Sequence, residues 1–112
     1  MTEHFNQLTP TQAERLAMLA EECGEVIQSV GKILRHGYES GHPENPKVTN
    51  RRLLEKEISD ILGVHLAMIV AGDICSPGDI EAAARNVWAK KLRYTHHQEG
   101  PAAPRSGQPA RS

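Results

Sequence analysis

The sequence predicts an all-α protein: an antiparallel helical hairpin plus a third helix, with the bundle completed by oligomerisation. Three observations predict it. Threonine or serine followed by proline marks helix starts, apolar residues recur at the helical period, and no segment alternates apolar and polar residues as a half-buried strand would. Aromatic residues make up only 4% of the 112 residues, so few large side chains are available to fill a core within one chain.

The first helix starts at Thr9-Pro10-Thr11-Gln12. This segment combines an N-cap threonine, proline at the first helical position and glutamine at N3, a capping box. Leu16, Leu19, Cys23, Val26, Ile27, Val30 and Leu34 keep the helical period, and Gly37 is the stop. Ala13, Ala17, Ala20, Gly24 and Gly31 form a separate small stripe, so this helix is expected to be contacted on more than one side. His36 to Asn50, with Gly37, Gly41, Pro43 and Pro46, reads as a long polar loop. The second helix starts near Thr49 or Asn50 and runs to about Ala71 or Gly72. Its apolar positions are Leu53, Leu54, Ile58, Ile61, Leu62, Leu66 and Ile69. The third is expected to begin at Ser76-Pro77-Gly78-Asp79, with Ser76 as cap and Pro77 first, and to fray around Tyr94. One domain spans residues 1–99. Residues 100–112 hold three prolines, two glycines and no large apolar side chain, and are expected to be disordered.

Composition narrows the function classes. The net charge is −1, from 13 basic and 14 acidic side chains, which argues against a dedicated nucleic-acid or membrane-surface binder. Cys23 and Cys75 are far apart and belong to no CxxC pair, as suits a reduced, cytoplasmic protein. Met1 to Leu8 lacks the apolar core of a signal peptide. The apolar run Ile61 to Ala71 is far short of the roughly 20 residues that span a bilayer.

The chemistry is concentrated in two acidic steps. Glu21-Glu22-Cys23-Gly24-Glu25 lies on the first helix and Glu57-Ile58-Ser59-Asp60 on the second. Residues three or four apart share a helix face, so each step projects its carboxylates in one direction. On its own, the first step reads as a solvated face. Glu57, however, falls among Leu53, Ile61, Val64 and Met68, inside the apolar stripe, with Asp60 at its margin. A carboxylate in that position is costly unless paired, protonated or bound to a metal. Lys56, Arg51 and Arg52 are near in sequence, but Lys56 is expected on another side of the helix. Antiparallel helices would set Glu22 and Glu25 opposite Glu57 and Asp60. All-oxygen ligands of this kind suit hard divalent cations such as Mg²⁺ and Mn²⁺, which commonly act on phosphates.

These residues resemble the motif of the MazG-like all-α nucleoside-triphosphate pyrophosphatases, EExxE and then ExxD on consecutive helices. The likeness covers about Leu16 to Tyr94 and extends to Leu19-Ala20 and to Lys90-Lys91-Leu92-Arg93-Tyr94. The separation between the two halves looks longer than is usual in that family. The resemblance implies a MazG-like bundle that hydrolyses a nucleoside triphosphate between its α and β phosphates, giving the monophosphate and pyrophosphate. It implies Mg²⁺ or Mn²⁺ held by Glu22, Glu25, Glu57 and Asp60. Glu21 would be a further ligand or the catalytic group that orients water. By analogy with a phage relative, the expected conversion is dGTP to dGMP, with dUTP, dCTP or another nucleotide as alternatives. The expected partners are the nucleotide and further copies of the chain, as a dimer or tetramer. A different class remains open: a non-catalytic helical interaction protein with solvated acidic faces.

Other residues are candidates for substrate contacts. Lys32, Arg35, Lys90, Lys91 and Arg93 offer charge to phosphates, although cations also suit a helix C-terminus. Asn86 lies one turn before Lys90, where it would touch sugar or phosphate. Tyr38 is placed to cover a base, whereas Trp88 reads as a packing or interface residue. His65 reads as a core histidine, and the adjacent His96 and His97 make a poor metal site.

Overall fold

The computed structural model describes residues 6–98. The expected disordered tail, 100–112, therefore lies outside the described residues. The chain is mostly helical, with a small two-stranded sheet. It divides into two compact units, Met1–Cys75 and Ser76–Ser112, and each is treated by itself.

The first unit is a helical hairpin. Helix α1 spans Pro10–His36 and helix α2 spans Asn50–Val70. Thr9 caps α1 through the expected box: its hydroxyl accepts from the Gln12 amide, and the Gln12 side chain accepts from the Thr9 amide. Gly37 ends the helix at φ 87°, ψ 167°, a conformation essentially restricted to glycine, and its amide donates to Ile33. Thr49 caps α2 by accepting from the Arg52 amide.

Both ends of the hairpin are tied, which fixes the helices as antiparallel. At one end Arg15 holds Asp73 with both arms, Nε to Oδ2 at 2.5 Å and Nη2 to Oδ1 at 2.9 Å. At the other, the buried Asn50 side chain donates to the Gly37 carbonyl at 3.1 Å, and the Asn50 amide donates to Ser40 at 2.8 Å.

The connection differs from the expected open loop. β1 (Gly41–His42) pairs antiparallel with β2 (Asn45–Thr49), with partners Gly41–Thr49 and His42–Asn45 and an irregular register between them. Pro46 lacks an amide to continue a regular ladder, and this composition concealed the strand. Gly41 is required here by close approach: a Cβ at this position would lie 2.8 Å from the Pro46 carbonyl oxygen and 2.9 Å from that of Val48.

The apolar residues do not close into a core within the first unit. Met68 is the buried hydrophobic residue, at 3% exposure, whereas Ile27 is 71% exposed, Leu34 82%, Leu62 60% and Leu66 61%. Among the described residues the small stripe of α1 makes no close intrachain helix contact at Gly24, where an added Cβ would meet nothing within 4 Å.

In the second unit α3 spans Ile80–Leu92 and ends at Arg93. Its start corrects the expected cap. Asp79, not Ser76, occupies the N-cap and accepts from the Ala82 amide at 2.9 Å, while the Ser76 hydroxyl donates to the Pro77 carbonyl. A carboxylate is the stronger charge-assisted acceptor for a helix N-terminus, so the helix starts after Asp79. Among the described residues no helix is long and apolar enough to cross a membrane.

Two outcomes are expected. Gly41→Ala should lower the melting temperature by forcing β1 and β2 apart, as read by circular dichroism. Asp73→Asn should lower it at pH 7. The Arg15 hydrogen bond holds the Asp73 carboxyl below its usual value, burial opposing. A depressed carboxylate stabilises the fold above its unfolded value, about 3.9, and that gain is lost as pH falls through the lower folded value. The difference between Asp73→Asn and the parent should therefore shrink as pH falls below about 4.

Candidate metal centre between the first two helices

The residues of α1 that turn toward α2 recur at alternating intervals of three and four: Leu19, Glu22, Val26, Ser29 and Ile33. On α2 the corresponding positions include Asn50, Leu53, Glu57, Ile61, Val64 and Met68. This is the spacing of two helices meeting along one seam. Carboxylates occupy seam positions on both helices. The Glu57 side chain is only 15% exposed, and Asp60, at the margin, is 38% exposed.

The seam brings three of the acids together. One carboxylate oxygen from each of Glu22, Glu57 and Asp60 lies within 4.8 Å of the others. Among the described residues, no other group of three histidine, cysteine or acidic side chains meets so closely. Burial pushes the Glu22 carboxyl upward, and the neighbouring Asp60, Glu21 and Glu57 push it further in the same direction. Three convergent carboxylate oxygens are the donor type of a hard divalent cation, although acidic groups also gather on protein surfaces without one.

Lys56 corrects the sequence expectation that it points elsewhere. Its Nζ donates to Asp60 Oδ2 at 2.9 Å and lies 3.8 Å from Glu57 Oε1. The Cα of Lys56 is off the seam, but a four-carbon stem carries the ammonium back over the acids. The signal was present in the i,i+4 spacing of Lys56 and Asp60. The hydrogen bond to Asp60, reinforced by the charges of Asp60 and Glu57, raises the Lys56 pKa. It is the one opposing influence on Glu22.

The remaining candidates are placed as follows. Glu25 and Glu21 are exposed and outside the three-acid group. At about 100° per residue, Glu25 lies about 60° around α1 from Glu22, and Glu21 about 100°. Lys32 is exposed near the C-terminal end of α1. Tyr38 is half-exposed, and one face of its ring is covered by the Arg51 guanidinium, 4.3 Å from the centroid. Arg51 is in turn held by Glu39 at 2.7 Å. Asn86, Lys90 and Lys91 are exposed on α3 and Arg93 caps it, with the lysines in the last turn. Trp88 on the same helix is 46% exposed. His65 is half-buried on α2, and His96 and His97 are exposed beyond α3. Both cysteines are free.

No protein-family model, curated protein or solved structure matches this chain.

The ammonium over the acids leads to an expected outcome. Lys56→Met should lower the melting temperature of metal-free protein, because the carboxylates lose their cation. It should also tighten Mn²⁺ binding severalfold in calorimetry, because the ion no longer competes with a resident charge. An unchanged Mn²⁺ affinity would show that Lys56 does not share the site.

Proposed function

We propose that this chain is a MazG-like nucleoside-triphosphate pyrophosphohydrolase that uses Mg²⁺ or Mn²⁺ and releases a monophosphate and pyrophosphate. The observation that carries this reading is the convergence of Glu22, Glu57 and Asp60 from two helices within 4.8 Å. These are three of the four acids that the motif resemblance assigns as ligands. The bound cation would offset phosphate charge and acidify a coordinated water.

The chain's own groups account for the rest. Glu22, Glu57 and Asp60 hold their oxygens at fixed positions because the seam restrains both helices. In this reading Glu25, exposed and outside the group, would turn toward it, and Glu21, exposed beside it, would orient the attacking water. Lys56, freed from Asp60 when the acids are otherwise neutralised, offers its ammonium to a phosphate oxygen. Tyr38 supports the base. The leading substrate is dGTP.

A second copy of the chain completes the bundle. Leu16, Ile27, Val30 and Leu34 on α1 and Ile58, Leu62, Leu66 and Val70 on α2 are all exposed. So much exposed apolar surface on paired helices fits a dimer or tetramer interface.

One observation favours a different class. Lys56 already neutralises part of the acidic group without any metal, as it would in a non-catalytic helical interaction protein. A panel of nucleoside triphosphates with product analysis separates the two readings. The expected result with Mg²⁺ or Mn²⁺ is monophosphate and pyrophosphate in equal amounts, fastest from dGTP. Glu22→Gln, Glu57→Gln and Asp60→Asn should each cost at least the roughly 10–100-fold associated with losing an outer-shell partner, with the helical spectrum unchanged. No product from any nucleotide, or near-parental turnover in two of these variants, would refute the enzymatic reading. Sedimentation should give a dimer or tetramer, and a fully active monomer would refute the shared bundle.

A further inference from the structure

Beyond the acids, the first unit contains an open cavity of about 360 Å³ where the end of α1, the β1–β2 hairpin and the start of α2 meet. We propose that this cavity is a phosphate-binding subsite, built chiefly from Lys32 and Arg35, that takes the terminal phosphates of the nucleotide. The identity of the ligand rests on the pyrophosphohydrolase reading above. The anion-binding property does not.

Charge pairing is the first observation. Helices α1 and α2 carry six lysines and arginines. Arg15 is paired with Asp73, Arg51 with Glu39, Arg52 with Glu55, and Lys56 with Asp60 and Glu57. Lys32 and Arg35 have no acid partner among the described residues, and both line this cavity. No carboxylate is among its lining residues, although the chain carries more acids than bases. Offsetting the α1 dipole would explain Arg35 in the last turn, although Lys32 lies a turn earlier. It does not explain why both are unpaired and border one acid-free hollow.

The other polar groups are matched to an acceptor-rich ligand. His36, Ser40 and His42 also line the cavity. The His42 Nδ1 accepts from the Glu44 amide at 3.1 Å, so its ring proton sits on Nε2, which remains a donor. The first amides of α2 are already committed: Asn50 to Ser40, Arg51 to Tyr38 and Arg52 to Thr49. An anion here is therefore read by side chains and not by the helix end.

Position links the cavity to the acids. Leu53 lines it, and Glu57 follows one turn later on α2. On α1, Lys32 is ten residues beyond Glu22, about 15 Å along the axis. Along α2 the cavity lining and the acids are thus one helical turn apart.

The test is a calorimetric titration with inorganic pyrophosphate in excess EDTA, which removes metal and turnover from the measurement. Saturable binding is expected for the parent, weakened at least tenfold in Lys32→Gln/Arg35→Gln. Both side chains are exposed, and an unchanged circular dichroism melt would verify the fold. Arg52→Gln, which removes an exposed cation that pairs with Glu55 and does not line the cavity, should bind pyrophosphate as well as the parent does. If dGTP competes with pyrophosphate for the parent and dGMP does so at least tenfold more weakly, the terminal phosphates are the part recognised. Equal competition by dGMP would overturn that assignment. Absence of saturable binding, or equal binding by Lys32→Gln/Arg35→Gln, would overturn the subsite. Pyrophosphate binding by a protein without nucleotide turnover would support the cavity and overturn only the enzymatic reading.

Discussion

Like charges held in a helix–helix seam are the constraint around which the first unit is organised. Glu22, Glu57 and Asp60 come from two helices and meet within 4.8 Å, with Glu57 mostly shielded from water. Carboxylates so placed repel each other and lose hydration, so the arrangement is unfavourable unless a cation compensates. Lys56 supplies one positive charge to three acids, which leaves a formal excess of two negative charges. The clasp of Arg15 on Asp73 and the bond from Asn50 to Gly37 hold the helix ends, and so keep the acids together despite their repulsion. The cation of the proposed function would supply the charge that Lys56 leaves uncompensated.

The distribution of apolar residues follows from the same seam. Polar and charged residues, including Arg15, Glu22, Ser29, Asn50 and Glu57, take many positions between the helices. The larger apolar side chains of α1 and α2 then lie outside, with Leu34 and Val70 about four-fifths exposed. An isolated protomer gains little from burial in this arrangement. Association through those outer faces would supply the missing core while leaving the acidic seam unchanged. Under the proposed function, metal binding and assembly would stabilise the same helix pair from opposite sides.

Much of this was legible in the residues. The Thr9 box, the Gly37 stop and the Thr49 cap are local rules acting within a few residues, and the helix limits followed from them. The acidic seam was legible because Glu57 interrupts an apolar stripe, an energetic anomaly visible at helical spacing. The hairpin was hidden because Gly41, Asn45, Pro46 and Lys47 disfavour strands and outweigh Val48 and Thr49, and Gly41 reveals its role only through its approach to Pro46 and Val48. Asp79 displaced Ser76 as cap because two acceptors competed within four residues. Lys56 was misplaced because a wheel projects Cα directions and not the reach of a flexible side chain. The cavity beside the hairpin could not be foreseen without the hairpin.

The most direct test of the central claim is residue-resolved paramagnetic broadening of backbone amide signals on titration with Mn²⁺. The account predicts saturable broadening centred on the α1 turn around Glu22 and the α2 turn from Glu57 to Asp60, abolished in Glu57→Gln. Broadening that is diffuse over the acidic surface, centred elsewhere, or unaltered in that variant would contradict it.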